Sequence, residues 1–442
     1  MRMPIICLDP RLGQYLLRYW QCFSKPQYKY FVTILLGLML CQGSSTLSGV
    51  IGQVEGQVTL SGTSRFLSGA PWSAEQVSHT WFSYFSSEMA PLVQAEHARR
   101  RAKRPKRRGR PKATVVTGYL IGDDSVMQKV RGKKMGGLGY HYSSTAEKTV
   151  KGHCLVQALY VLLGRRCPLA PKMYRTKAVC EQERVPFQSK VDLMETIITD
   201  FEPVCGTQTH VLLDSWYTAK KIWKAARERG FLITSGLKCN RQLCIDDPNS
   251  PKGWSWQRLD AYAAQLSNED FTRVEWPSAS DPARWVYAHV VSTRVKKLYR
   301  GQVILVRETL DGMTRYWAST DLEADMETLL QHIAARWDIE VLFADTKELL
   351  GLDQYQLMSP QAILRFWTLV MVAYGFLDEE RVRLQREQQR HTTIGDAWRH
   401  THQTHWRHFI DWMCTLFVDD GVSPSQLHEQ LFTRCTIQKL QR

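Results

Sequence analysis

Two short apolar segments of the chain each end in acidic side chains, and such acids are natural metal ligands. The segments are Tyr119-Leu-Ile-Gly-Asp-Asp-Ser125 and His210-Val-Leu-Leu-Asp-Ser-Trp-Tyr217. In an α/β sheet, ligands collect beyond the carboxyl ends of the strands. Acids that neighbouring strands place there can share a hard cation such as Mg²⁺ through carboxylate oxygens. One such Asp alone is more often a turn former or a helix cap, so the hypothesis depends on the pair.

A third acid, Glu340, is flanked by two basic residues at helical spacing. Arg336 precedes it by four positions and Lys347 follows it by seven, which puts all three on one face of a helix. Such a face can complete a metal site while its cations bind phosphate groups. Ordinary salt-bridge spacing on a solvated helix explains the same pattern when this segment is considered alone.

Elements that alternate between strand and helix patterns must position these acids. Four β-branched or apolar runs predict strands, and two segments with helical period lie between them. Alternation of this kind indicates a mixed α/β sheet. The predicted strands are Thr114–Gly122, His153–Gly164, His210–Asp214 and Phe231–Leu237, and the predicted helices are Lys190–Phe201 and Thr218–Arg229.

A β-rich insertion is expected between the second Asp and the Glu. Its strands are predicted at Trp285–Val291, Gly301–Glu308 and Thr314–Thr320, with Asp311-Gly312 as a hairpin turn. Six regions follow from these patterns. They are a helical DNA-binding or packing domain (1–95), a basic linker (96–113), the first part of a catalytic core (114–240), the insertion (241–325), the second part of the core (326–388) and a helical tail (389–442).

The charge of the chain points to a polyanionic partner. Its 442 residues carry a formal net charge of +15, and the isoelectric point is about 9.3. Such a surplus favours nucleic acid or an anionic membrane. The best apolar run, Phe31–Cys41, is far shorter than the roughly 20 residues of a spanning helix, which argues against a membrane. The 11 cysteines form no Cys-x-x-Cys pair, which favours a reducing compartment without a disulfide framework.

The basic linker contains Lys106-Arg-Arg-Gly-Arg-Pro-Lys112, which is similar to an AT-hook. Gly109 would let the backbone sink into a narrow groove, while Arg108 and Arg110 reach along its floor. A·T-rich minor grooves are narrow and strongly negative, which favours inserted arginines. A general phosphate-binding arm is the alternative, and DNA is the partner in both cases. The expected DNA contacts here are Arg107, Arg108, Gly109, Arg110 and Lys112.

Taken together, these segments resemble the DDE transposases of bacterial insertion sequences. The likeness is to the superfamily whose third acid lies in a Tyr-x2-Arg-x3-Glu-x6-Lys signature, which Arg336, Glu340 and Lys347 match. The signature's Tyr falls on Ile333, so its role is unfilled or taken by another group. The likeness covers about residues 30–375. Further matching features are Asp-Asp-Ser125, Lys129, Gly136-Gly-Leu-Gly139, Leu350-Gly-Leu352, Tyr355-Gln356 and the β-rich insertion.

The resemblance implies a ribonuclease H-like fold, with helices on both faces of a mixed sheet and helical regions at both ends. It also implies a catalytic, metal-binding trio of Asp123, Asp214 and Glu340. Asp124 is the competing first ligand; Asp123 is preferred because a polar residue and then a hydroxyl residue follow it, as is usual in the family. The expected cofactor is a pair of Mg²⁺ ions, which Mn²⁺ can replace.

The activity implied by the resemblance is cut-and-paste transposition. The enzyme would cleave double-stranded DNA at terminal inverted repeats and transfer the ends into target DNA, as a homodimer in the bacterial cytoplasm, associated with the nucleoid. Arg336, Lys347 and Lys129 would contact DNA, and Trp317 or Trp285 of the insertion would stack on a flipped base. The alternatives are an inactive transposase-derived DNA-binding protein, a ribonuclease H-like nuclease without strand transfer, and a basic membrane-surface protein.

Overall fold

The structure is a computed structural model of the chain. It describes residues 9–41, 43, 45–54, 58–103, 115–132, 134–143, 146–277, 284–418 and 420–426. The basic residues predicted to enter a minor groove, Arg107, Arg108, Gly109, Arg110 and Lys112, lie outside the described residues. Helix α5 (Ala74–Ala102) precedes this segment, and strand β1 (Val116–Gln128) follows it.

One large mixed sheet forms the centre of the protein. The strands are β1 (Val116–Gln128), β2 (Gly139–Ser143), β3 (Lys148–Leu162), β4 (Arg165–Pro168), β5 (Lys172–Tyr174), β6 (Thr207–Leu213), β7 (Leu232–Leu237), β8 (Gln242–Asp246), β9 (Trp254–Arg258), β10 (Thr272–Glu275), β11 (Trp285–Arg294), β12 (Arg300–Arg307) and β13 (Arg315–Ser319). The main sheet has the order β10-β11-β12-β13-β7-β6-β1-β3-β2, with β4 and β5 also paired to β3, whereas β8 and β9 form a separate hairpin.

Five strands form the central part of this sheet. Strand β1 is antiparallel to β3 and parallel to β6, β6 is parallel to β7, and β2 is antiparallel to β3. The order β2-β3-β1-β6-β7, three antiparallel strands followed by two parallel ones, is the ribonuclease H-like arrangement. Helices pack on both sides of this sheet, so the predicted mixed α/β class is confirmed.

The insertion extends the core sheet. Strands β10 to β13 continue the sheet in antiparallel pairs from the edge of β7. The three strands predicted from the sequence are present with ends shifted by a few residues. The hairpin turn predicted at Asp311-Gly312 lies within the connection between the antiparallel strands β12 and β13, but this connection is longer than a two-residue loop and spans residues 308–314. Within that longer connection, the Gly312 amide closes a turn by donating to the Thr309 carbonyl at 2.9 Å.

Thirteen α-helices flank the sheet in the described part of the chain. They are α1 (Pro10–Leu17), α2 (Lys25–Leu40), α3 (Leu47–Ile51), α4 (Leu60–Ser68), α5 (Ala74–Ala102), α6 (Lys177–Glu183), α7 (Lys190–Asp200), α8 (Lys220–Glu228), α9 (Leu259–Gln265), α10 (Met326–Ala335), α11 (Asp338–Leu350), α12 (Pro360–Gln388) and α13 (Ile394–Val418). Only Arg336 and Trp337 separate α10 from α11, and they form the junction between these two helices.

Helix α12 is the central helix of the core. It packs against α2, α4, α5, α11, α13 and β4, and one continuous hydrophobic cluster runs from Leu12 to Ile394. Helix α12 is long and apolar enough to cross a membrane, but 83% of its most apolar window is buried inside the protein. Its fully buried Asp378 is paired with Arg165 at 3.0 Å and Arg381 at 2.7 Å, which satisfies a charge that burial alone would destabilise. Helix α12 is therefore a core helix that joins the N-terminal helices to the sheet.

Candidate active site

Asp123 and Asp214 occupy equivalent places on neighbouring parallel strands. The last register pair between β1 and β6 is Gly122 with Leu213, and Asp123 and Asp214 are the residues that follow this pair in the chain. Adjacent strands lie about 4.8 Å apart, so the two carboxylates leave the sheet side by side. Strand β6 ends at this point, where the Asp214 carboxylate caps a short 3-10 helix by accepting from the Ser215 amide at 2.6 Å.

The position of the first acids differs in one respect from the prediction. The sequence placed Asp123 and Asp124 just beyond a strand, whereas β1 continues through both to Gln128. The reason is that β3 goes on pairing with β1, with Asp123 opposite Gln157, after the parallel pairing with β6 has stopped. The acids therefore lie at the end of the parallel pair but inside the antiparallel one.

Asp123 and Asp124 point to opposite faces of the sheet because side chains alternate along a strand. Gly122 marks the α7 face, since a Cβ at this glycine would lie 2.5 Å from Met194 of α7. Asp124 is on that face, where its carboxylate accepts from Lys190 Nζ at 2.5 Å and from the Tyr217 hydroxyl at 2.8 Å. Asp123 is on the other face, under α11.

Glu340 and Asp123 are linked by the side chain of Arg336, which lies close to both carboxylates. Arg336 Nη2 lies 2.6 Å from Glu340 Oε1, and Nη1 lies 3.8 Å from Asp123 Oδ2. Seven residues further along α11, Lys347 Nζ donates to Ser125 Oγ at 2.8 Å. Helix α11 thus runs along β1, with Glu340 near Asp123 and Lys347 near Ser125. The structure brings the three predicted acids to one region of one sheet face.

The electrostatics of Asp123 indicate a place for a cation. The pKa of its carboxyl is raised to about 7, mainly by burial and also by the negative charges of Asp124 and Asp214, against lowering contributions from the Asp124 amide and Arg336. A divalent cation would supply the positive charge that the ionised form lacks. Carboxylate oxygens are the donors that hard cations prefer, so Asp123, Asp214 and Glu340 fit a Mg²⁺ or Mn²⁺ site.

Two residues that were predicted to contact DNA, Lys129 and Trp317, make contacts inside the protein instead. Lys129 Nζ donates to the carbonyls of Asp353 at 2.5 Å and Tyr355 at 2.7 Å, and it lies 3.6 Å from the centroid of the Tyr355 ring. Trp317 is partly buried against a second hydrophobic cluster of the insertion and α10. In contrast, Trp285 is 44% exposed, with Arg273 stacked 4.7 Å from its ring centroid.

The position of the signature tyrosine is occupied by a core residue. Ile333 is buried in the second hydrophobic cluster together with Leu329 and Leu330, so it does not face the acids. The exposed aromatic residues beside the site are Trp216 and Trp337, at 58% and 60% exposure. Sequence reasoning did not select either one. The available signal was their position, two residues after Asp214 and one after Arg336, but exposure cannot be read from position alone.

Comparisons with known proteins agree with this geometry. A family model described as "DDE superfamily endonuclease" matches residues 18–276, which is more than half of the chain. A second model, described as "Transposase DDE domain", matches residues 188–376. The first range contains Asp123 and Asp214, and the second contains Asp214 and Glu340. A search of curated proteins finds no match.

Proposed function

Because the chain belongs to the DDE superfamily of endonucleases, we propose that it is a transposase that cuts transposon ends and joins them to target DNA. The observation that supports this proposal is the approach of Asp123, Asp214 and Glu340 on one face of the sheet. Enzymes of this superfamily use divalent metal ions. The three carboxylates would hold Mg²⁺ ions, and these ions would supply activation of the attacking oxygen and stabilisation of the leaving oxygen.

The chain's own residues prepare this site. The Asp124 amide donates to Asp123 Oδ1 at 2.8 Å, which fixes the carboxylate and leaves Oδ2 directed towards Arg336. The bond between Lys347 and Ser125 holds α11 along β1, and so keeps Glu340 near Asp123. In this structure Arg336 pairs closely with Glu340 and more distantly with Asp123, and we assign it to the DNA phosphates when the acids hold metal ions.

Two transfers of a phosphoryl group make up the reaction. In the first, water attacks a phosphodiester at the transposon end, and the bond to the 3′ oxygen breaks to leave a free 3′-hydroxyl. In the second, that hydroxyl attacks a phosphodiester of the target, and a new 3′ linkage forms as the target strand's own 3′ oxygen leaves. Holding both DNA segments against fixed groups lowers the entropic cost of each attack.

DNA is held by groups outside the trio. We assign phosphate contacts to Arg336 and Lys347, base stacking to exposed aromatics such as Trp285, and groove binding to the basic segment at residues 107–112. Lys129 and Trp317 instead support the site through their contacts inside the protein. Two transposon ends must meet, so the active form is a homodimer bound to two DNA ends, in the compartment that holds the DNA.

The decisive experiment is Asp214→Asn in a Mg²⁺-dependent cleavage and joining assay. We expect loss of both products with retained DNA binding, because the amide keeps the shape of the side chain and removes its charge. The matched control is Asp311→Asn, which alters an exposed acid on the insertion. Normal cutting by Asp214→Asn would refute the trio. A wild-type protein that binds without cutting is an inactive DNA-binding protein, and one that cuts without joined products is a nuclease.

A further inference from the structure

A second group of metal-ligand side chains lies beneath α10. His210 is on β6, His332 is on α10, and Asp321 is in the connection between β13 and α10. One ligand atom from each of these side chains lies within 4.8 Å of the other two. Both imidazoles are buried, with 0% of His210 and 4% of His332 exposed, whereas Asp321 is partly exposed.

This group is separate from the catalytic acids. His210 precedes Asp214 by four residues on β6, and its register partner Tyr119 precedes Asp123 by four residues on β1. Four strand residues span about 13 Å, which is too far for one ion to bind both sets. The two groups nevertheless lie on the same face of the sheet, because side chains four residues apart in a strand point the same way.

Hydrogen bonds on the outer sides of the two imidazoles leave their inner nitrogens free. His210 Nε2 lies 2.8 Å from Thr234 Oγ1, and Thr234 donates its own proton to Ser319 at 2.9 Å. The Thr234 oxygen therefore accepts the Nε2 proton of His210, and the lone pair of His210 is on Nδ1. Among the described residues, this Nδ1 atom has no hydrogen-bond partner, although it is buried.

His332 is arranged in the same way. Its Nδ1 lies 3.3 Å from the Tyr119 hydroxyl, and assigning the ring proton to that bond leaves the lone pair on Nε2. His332 Nε2 is also buried and without a hydrogen-bond partner in the described part of the chain. Asp321 Oδ2 lies 3.9 Å from it, which is too long for a hydrogen bond. Buried polar atoms are nearly always paired, so two unpaired nitrogens in one place require an explanation.

We propose that His210 Nδ1, His332 Nε2 and Asp321 Oδ2 bind one transition-metal ion, of which Zn²⁺ is the best match. Two imidazoles and one carboxylate form a donor set that Zn²⁺ accepts in tetrahedral sites, with a water molecule as fourth ligand. Mg²⁺ prefers oxygen donors alone, so this ion differs in kind from those of the catalytic acids.

The surroundings of the three ligands suit such an ion. Asp321 Oδ1 accepts from the amides of Glu323 at 3.2 Å and Ala324 at 3.1 Å, which leaves Oδ2 for the metal. Ligand atoms of a tetrahedral Zn²⁺ site lie roughly 3.3 Å apart, so the side chains draw together slightly on binding.

The site would join three parts of the fold. It links β6, which leads to Asp214, with the end of the insertion and with α10, which leads to Arg336. Thr234 and Tyr119 orient the two imidazoles, as outer partners of metal-bound histidines commonly do. The ion would therefore tie these three segments together, and its binding does not depend on the proposed transposition activity.

The experiment measures metal binding by the full-length protein after it has been stripped with a chelator. We expect one equivalent of Zn²⁺ to bind per chain in the presence of a millimolar excess of Mg²⁺. Co²⁺ used as a probe should give the strong visible absorption of a tetrahedral site without thiolate charge-transfer bands. Absence of binding to the folded wild-type protein, or thiolate bands from its cysteines, would overturn the proposal.

Variants locate the ion. His332→Gln and Asp321→Asn should each weaken Zn²⁺ binding by at least about 100-fold, and Thr234→Val, which only removes the support of His210, by about 10- to 100-fold. Asp214→Asn is the control and should bind Zn²⁺ normally. Circular dichroism checks the fold of each variant. Since Asp321 is partly exposed, its variant keeps the test valid if His332→Gln fails to fold. Unchanged affinity in the folded Asp321→Asn variant would also refute the site.

Discussion

The two faces of strand β1 carry consecutive aspartates in opposite environments. On the α7 face, Asp124 is saturated by Lys190 and Tyr217. On the α11 face, Asp123 has a distant arginine that it shares with Glu340, and burial and neighbouring acids raise its pKa to about 7. Aspartate thus has a structural role on the α7 face, as Asp124, and is placed to bind a cation on the α11 face, as Asp123. Unsatisfied charge, more than the presence of an acid, distinguishes the candidate active site.

The largest expected effect is on the rate of DNA cleavage, and it results from substitution of Asp123. Asp123→Asn should reduce DNA cleavage by roughly 1,000-fold or more, because metal ions contribute several kcal/mol to transition-state stabilisation. The free energy of unfolding of this variant should stay unchanged or increase, because the neutral amide removes the repulsion from Asp124 and Asp214. Cleavage rates with Mg²⁺ and urea unfolding of the same preparation test both statements. A cleavage-competent variant would assign the first ligand to Asp124.

The reverse result is expected for Asp124. Asp124→Asn removes the counter-charge of the largely buried Lys190, which should lower the free energy of unfolding by about 2–3 kcal/mol. Molecules that remain folded should still cleave DNA, with a rate much closer to that of the wild type than to that of Asp123→Asn. Urea unfolding and cleavage per folded molecule provide the measurements. Equal losses of activity in the two variants would abolish the distinction between the faces.

A smaller effect tests where DNA lies relative to the two faces. Trp216 is 58% exposed, and the ammonium groups of Lys190 and Lys238 lie 5.9 Å and 5.3 Å from its ring centroid. Base stacking on such a residue is worth about 1–3 kcal/mol, so Trp216→Ala should raise the Kd for DNA by about 5- to 150-fold. The control is Trp406→Ala on α13, whose side chain is 40% exposed. Fluorescence anisotropy with a duplex bearing a single-stranded 3′ overhang measures both, and equal affinities would remove Trp216 from the DNA path.

The architecture of the core was predictable because its signals are local. Acids after apolar runs, strand and helix periods, and the Arg336-x3-Glu340-x6-Lys347 spacing each lie within a few neighbouring residues. The mixed α/β sheet and its β-rich insertion follow from such patterns, and the family comparison supports them. The preference for Asp123 over Asp124 remains a prediction. The strand alternation and the partners of each acid now give it a physical reason.

What the sequence did not indicate depends on contacts between distant parts of the chain. Lys129 is directed inwards by carbonyls more than 220 positions away, and Ile333 is buried by strands of the insertion. The His210, Asp321 and His332 group joins three segments with no spacing rule between them. Exposure of Trp216 is likewise a property of the fold. Long-range packing of this kind leaves no periodic trace in a single sequence.

The smallest expected effect concerns the support of the α11 face. Ser125→Ala removes the acceptor of Lys347 Nζ, the contact that holds α11 along β1 at the level of the acids. A hydrogen bond to a charged group contributes about 1.5–3 kcal/mol at most, and Lys347 can regain water, so we expect a loss of about 1 kcal/mol in stability. Cleavage should fall by roughly tenfold or less, because Glu340 keeps its pairing with Arg336. Ser143→Ala, on the edge strand β2, is the matched control for loss of one hydroxyl. A decrease as large as that of Asp123→Asn would mean that the position of Glu340 depends on Ser125 far more than on Arg336.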